Sequence, residues 1–193
     1  LWWSERSGWG HYYLYDHNGT FKNSVTAGDW RAESIAELDS VARILYFRAV
    51  GREEGEVPYY THLYRVGLDG AGLSILDGGD ATHNSTLSPS KRLIIDSYSR
   101  IDLPSTTVLR DALGKEIMPL EEMDVSRLKE YGWKPRERFV VKAADGVTNI
   151  YGNIFKPFDF DSTKKYPIIA NVYPGPQTET VNLPFAAGGV PQQ

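Results

Sequence analysis

The chain has 193 residues, with 21 basic and 25 acidic side chains for a net charge of −4, and is 41% hydrophobic and 12% aromatic. That balance excludes a disordered chain, a collagen-like repeat and a basic nucleic-acid binder, and no apolar run reaches the roughly 18–20 residues of a membrane-spanning helix. The lack of cysteine excludes disulfides, thiolate nucleophiles and cysteine-ligated zinc. The chain opens on Leu1-Trp2-Trp3, with neither Met nor a basic leader. We therefore expect an internal piece of a longer protein, without its own signal peptide.

Three β-type runs align along the first part of the chain. They are Leu1-Trp2-Trp3-Ser4-Glu5-Arg6-Ser7, Leu45-Tyr46-Phe47-Arg48-Ala49-Val50-Gly51 and Leu93-Ile94-Ile95-Asp96-Ser97-Tyr98-Ser99. Their spacing of about 45 residues is that of a propeller repeat. Each is followed by a second run, Tyr12–Asp16, Leu63–Gly67 and Thr107–Asp111, and then by a turn closed at Gly19, Gly70 or Gly114. Asn18-Gly19 and Asp69-Gly70 are pairs that accept positive φ. Further short strands are expected at Ser34–Leu38 and Asn84–Leu87, each ahead of the next unit. Four short antiparallel strands per unit read as propeller blades, with a generic β-meander as the competing reading.

From about residue 118 the pattern changes. Glu121–Tyr131 runs without Gly or Pro, offers Asp124 as N-cap and is stopped by Gly132 and Pro135, which predicts a helix. Two β-type runs, Arg138–Lys142 and Asn149–Phe155, flank a hairpin turn at Asp145-Gly146. Tyr166–Tyr173 is continuously apolar apart from Asn171, as expected of a strand buried on both faces. The fold expected is mainly β: propeller blades over 1–118, a linker with a short helix over 119–135, and the first strands of an α/β domain over 136–193.

Recognisable chemistry is sparse. No G-x-S-x-G nucleophile elbow and no P-loop occur. Asp159-x-Asp161 lacks the other oxygen ligands of a calcium loop, and no metal or cofactor is expected. Asn18-Gly19-Thr20 and Asn84-Ser85-Thr86 match the short glycosylation sequon. His11 and His62 hold equivalent repeat positions, which suggests a structural role; His17 lies in a turn, and His83 has no carboxylate or serine partner apparent from spacing. Tyr173, at the end of the last apolar run and before Pro174-Gly175-Pro176, suits either a hydrogen bond to a developing oxyanion or a simple cap on a core strand.

The segments Ser4-Glu5-Arg6-Ser7-Gly8-Trp9-Gly10-His11-Tyr12-Tyr13-Leu14-Tyr15-Asp16, Gly28-Asp29-Trp30 and Pro58-Tyr59-Tyr60-Thr61-His62-Leu63-Tyr64-Arg65-Val66 resemble late propeller blades of the dipeptidyl peptidase IV-type enzymes, within the prolyl oligopeptidase family of serine peptidases. Tyr151-Gly152-x-x-Phe155-Lys156-Pro157, Phe160-Asp161-x-x-Lys164-Lys165-Tyr166-Pro167 and Val172-Tyr173-x-Gly175-Pro176 resemble that family's passage into its α/β-hydrolase domain. The resemblance implies a parent enzyme that releases Xaa-Pro or Xaa-Ala dipeptides from peptide N-termini through an acyl-enzyme. It implies Tyr173 as an oxyanion donor, a Ser/Asp/His triad outside this chain, an inactive fragment, no cofactor, a peptide as partner, a homodimeric parent and a periplasmic or otherwise exported location. The chain departs from the usual family pattern at Asn171, usually Asp, and Pro174, usually Gly or Ala. The alternatives are a non-catalytic propeller that binds peptides through Trp2, Trp3, Trp9, Tyr12 and Tyr60, or a sibling prolyl tripeptidyl or acylaminoacyl peptidase.

Overall fold

The structure is a computed structural model, and it describes residues 1–157, 159–172 and 184–186. It divides into two compact units, one formed by 1–99 and 105–122, the other by 100–104 and 123–193. No described helix is long and apolar enough to cross a membrane.

The first unit is built from three antiparallel sheets whose strands pair in chain order. The first sheet holds β1 (Trp2–Ser4), β2 (His11–Tyr15) and β3 (Phe21–Ser24). The second holds β4 (Arg31–Asp39), β5 (Ile44–Val50), β6 (Thr61–Gly67) and β7 (Ser74–Ile75). The third holds β8 (Thr82–Leu87), β9 (Leu93–Ser99), β10 (Thr106–Asp111) and β11 (Glu116–Glu122). These are the expected blades: the short strands foreseen at 34–38 and 84–87 are β4 and β8, and β1, β5 and β9 hold equivalent places. The tight β4–β5 and β8–β9 hairpins each carry a non-glycine residue at positive φ, Arg43 and Lys91.

The glycine turns do more than reverse the chain. Gly70 and Gly114 sit at φ +85° and +86°, where a side chain is strained. A Cβ on Gly70 would lie 2.8 Å from the Ser24 carbonyl oxygen, and one on Gly114 would lie 2.7 Å from that of Leu76. Each turn is thus pressed onto the backbone that leaves the preceding sheet. Gly19, at the same place in the first sheet, meets nothing within 4 Å.

Two seams bury the apolar faces. Tyr12, Val25, Trp30, Ala32, Leu45, Phe47, Ala49, Tyr64, Val66 and Leu68 pack between the first and second sheets. Trp30, Phe47 and Tyr64 stack there with ring centroids 5.7–6.3 Å apart. A smaller cluster of Tyr46, Leu63, Leu76 and Ile94 lies between the second and third sheets. Strand β5 serves both seams, Leu45, Phe47 and Ala49 facing one and Tyr46 the other, which is why its sequence is a near-continuous apolar run.

In the second unit, α1 (Ser126–Glu130) precedes a two-stranded hairpin of β12 (Glu137–Lys142) and β13 (Asn149–Ile154). The hairpin turn is held as expected at Asp145, whose carboxylate accepts the Val147 and Thr148 N–H groups. Three expectations are corrected. The helix does not begin at Glu121, because Glu121 and Glu122 pair with Thr107 and Thr106 as the end of β11. Asp124 is not its N-cap: Val125 is, and Asp124 accepts the Ser126 N–H from one position earlier. Gly132 does end the helix, at φ +78°. The apolar run 166–172 is not a buried strand. Ile168 and Ile169 are 88% and 81% exposed. A strand needs partners along its edges, and β12 and β13 pair with each other rather than with this run.

Candidate functional site

Tyr173, with Pro174-Gly175-Pro176, lies outside the described residues. Of the aromatic residues considered as a peptide-binding surface, Trp2, Trp3 and Trp9 are exposed but Tyr12 and Tyr60 are buried. Tyr12 faces inward from β2 and gives its hydroxyl proton to the Glu33 carbonyl at 2.6 Å, so the surface proposed for it does not form. Burial, and then the negative charge of Glu33, raise its pKa.

The polar residues that the fold does bring together lie where the second sheet meets the third. His62 is the second residue of β6, and its side chain is 3% exposed. Its Nδ1 is 3.3 Å from Asp77 Oδ1 and its Nε2 is 2.8 Å from Glu56 Oε2. Asp77, in the connection from β7 to β8, also accepts the Leu63 N–H at 2.8 and 2.9 Å and the Ser85 hydroxyl at 2.6 Å. In the third sheet, His83 Nδ1 lies 3.0 Å from Asp96 Oδ1 and Nε2 lies 3.1 Å from the Gly79 carbonyl. Arg110 donates from Nε to Asp96 Oδ2 at 2.8 Å. The carboxylate partner of His83 that spacing did not reveal is Asp96, and Ser85 touches the same carboxylate.

Electrostatics follow from this packing. Burial alone would raise the Asp96 pKa, but the His83 and Arg110 hydrogen bonds and charges outweigh it and hold the group ionised below its usual range. For His62, burial opposes the charged form, while Asp77 and then Glu56 outweigh it and raise the pKa above the ordinary value. Tyr64, whose hydroxyl donates to Glu53 at 2.9 Å, is raised by burial and by that carboxylate.

What this cluster can do chemically is limited. Ser85, His83 and Asp96 share the residue types of a catalytic triad but not its geometry. Ser85 gives its proton to Asp77, and the far nitrogen of His83 faces a backbone carbonyl rather than a hydroxyl. Donor atoms of His62, Asp77 and His83 lie within 4.8 Å of one another. Each also takes part in a hydrogen bond of the network.

The equivalent place between the first and second sheets is neutral. His11 Nδ1 is 3.0 Å from Thr26 Oγ1, its Nε2 is 2.9 Å from the Gly28 carbonyl, and Thr26 Oγ1 accepts the Tyr12 N–H. Thr26 follows His11, and Asp77 follows His62, by the same fifteen residues. That shared interval is the sequence signal by which Asp77 was findable. His17 remains an exposed turn residue.

Comparisons with known proteins accord with this architecture. Residues 1–105 match the family described as the dipeptidyl peptidase IV (DPP IV) N-terminal region. The chain is 27% identical over 190 residues, 93% of its length, to the probable dipeptidyl peptidase 4 of Trichophyton verrucosum, and 29% identical over 174 residues, 84% of its length, to dipeptidyl peptidase 8 of Homo sapiens. It spans only 24% and 19% of those two relatives. It superimposes on Porphyromonas gingivalis dipeptidyl peptidase 4 with a TM-score of 0.75 and 25% identity, covering 95% of this chain and 26% of that one. For a putative dipeptidyl aminopeptidase IV from Bacteroides ovatus the values are 0.77, 27%, 97% and 29%.

Proposed function

Because the chain belongs to the family of the dipeptidyl peptidase IV N-terminal region, we propose that it forms propeller blades and the passage into the catalytic domain of a serine exopeptidase. The peptidase releases Xaa-Pro or Xaa-Ala dipeptides from peptide N-termini. A serine outside these residues attacks the scissile carbonyl while a histidine takes its proton. The histidine then protonates the departing amine, and water hydrolyses the acyl-enzyme. The blades supply a rigid wall, and Tyr173 donates a hydrogen bond to the tetrahedral oxyanion. The same reading carries a peptide as substrate, a homodimeric assembly and an exported, periplasmic location for the complete enzyme, with these 193 residues inactive alone.

The observation that carries this reading is the family match over residues 1–105, joined to relatives that align through the second unit as well. The test is made in a protein of the relatives' full length that contains this chain. Hydrolysis of an Ala-Pro chromogenic substrate is expected, and Tyr173→Phe should lower kcat by about 10²–10³, the loss of one oxyanion donor. An unchanged kcat removes Tyr173 from the mechanism; no hydrolysis of Xaa-Pro or Xaa-Ala substrates removes the peptidase reading.

A further inference from the structure

We infer that His62 is a proton-operated clasp: with a proton on each ring nitrogen it ties Glu56 of the β5–β6 loop to the β7–β8 connection, through Asp77, and loss of one proton releases Glu56. The inference is independent of the peptidase reading.

Both His62 nitrogens face carboxylate oxygens, Asp77 Oδ1 at 3.3 Å and Glu56 Oε2 at 2.8 Å. An ionised carboxylate only accepts, and a neutral imidazole offers one N–H and one lone pair. A neutral His62 would set its lone pair against an anion inside the protein. The imidazolium satisfies both contacts.

His11 supplies the control within the same chain. Its Nδ1 faces a hydroxyl, which has a proton to give, and its Nε2 faces a carbonyl. A neutral ring with the proton on Nε2 satisfies both. Equivalent repeat positions thus ask for different protonation states, and the difference lies in Thr26 against Asp77 and Gly28 against Glu56.

The two carboxylates in contact with the ring favour the proton, whereas His83, whose two nitrogens also face acceptors, opposes it when charged. The ring of His83 on β8 lies 4.8 Å from that of His62, but it is turned to Asp96 on β9, which Arg110 on β10 also holds. Tyr64 on β6 presents its ring 6.3 Å away, with its hydroxyl on Glu53, itself paired to Arg52. Of the clasp's two partners, Asp77 is 1% exposed and holds two backbone or hydroxyl donors besides His62, whereas Glu56 is 16% exposed. The Glu56 contact is the one that opens.

The raised pKa of His62 sets the sign. The contribution to stability is complete below the unfolded histidine value of about 6.5 and is lost as the pH rises through the folded value. The experiment is an NMR titration of the full chain with labelled histidine from about pH 5 to about pH 9, spanning that range. The unfolded histidine value of about 6.5 serves as the reference, and His62→Gln as the assignment. His62 should titrate above that value, the amide of Gly55 in the β5–β6 loop should follow the same curve, and Glu56→Gln should move His62 down toward it. Glu56 is partly exposed, so this variant keeps the fold even where His62→Gln does not. A His62 that titrates at or below the unfolded value of about 6.5, or that ignores Glu56→Gln, overturns the clasp. So does a His62 signal that moves on adding zinc or EDTA, because a cation rather than a proton would then hold the ring.

Discussion

The two seams of the first unit solve one packing problem in different ways. Between the first and second sheets, three stacked aromatic rings fill the space, and the cross-links are neutral. Trp3 donates to the Ala32 carbonyl, Tyr12 to that of Glu33, and Asn23 to that of Leu68. Between the second and third sheets the apolar cluster is smaller, and the joint is completed by Glu56, His62, Asp77, His83, Ser85, Asp96 and Arg110. Aromatic packing draws on burial, which ignores pH. A buried ionic network gains little over an apolar joint of the same volume, yet it is costly to break from one side. The first seam is therefore tuned by volume and the second by charge.

Removing Asp96 tests this most severely. Asp96→Ala leaves the buried Arg110 without its counter-charge and His83 Nδ1 without its partner, and should cost about 3–5 kcal/mol in urea unfolding. Phe47→Ala should cost a similar amount, about 3–5 kcal/mol, by opening a cavity among the stacked rings. The two are separated by pH. Asp96 has a depressed pKa, so its contribution is present above the unfolded value of about 3.9 and is lost as the pH falls through the folded value. The deficit of Asp96→Ala against wild type should shrink in acid, while that of Phe47→Ala stays constant. A pH-independent deficit for both variants would erase the distinction between the seams.

Smaller effects sharpen the picture at the turns. Gly114→Ala forces both a positive φ and a clash with the Leu76 backbone, whereas Gly19→Ala meets only the φ penalty of roughly 1–2 kcal/mol. Thermal unfolding should rank Gly114→Ala clearly below Gly19→Ala, and equal losses would mean that the turn is not pressed onto its neighbour. The least effect is expected from Lys91→Ala. Its 3.5 Å contact with Asp39 joins the tips of two adjacent hairpins at a partly exposed site. Such pairs contribute little, and the unfolding midpoint should hardly move.

How much of this was legible depends on the range of the interaction. Strands and hairpins are local: alternating or continuous apolar runs bounded by Asn18-Gly19, Asp69-Gly70 and Asp145-Gly146 mark β2, β6, β12 and their turns. Asp77-Gly78-Gly79-Asp80 carries the same residue types and reads as one more turn, although Asp77 is the hub of the network. Asp96 sits inside a strand and becomes meaningful only when Arg110 and His83 arrive from the strands on either side. The helix was overextended because Glu121 and Glu122 have helical propensity, and pairing with β10 overrode it. The exposed run 166–172 shows the converse: apolar character alone does not make a strand without a partner edge.

The contact at Gly70 and Gly114 has a consequence for sequence divergence. Each joint is backbone against backbone, and its only chemical requirement is a missing Cβ. Side chains on either side can be exchanged without disturbing it, so the order and spacing of the blades are stored in a feature that substitutions elsewhere leave untouched. Such a joint can keep its spacing while the side chains beside it diverge, provided that its glycine is kept.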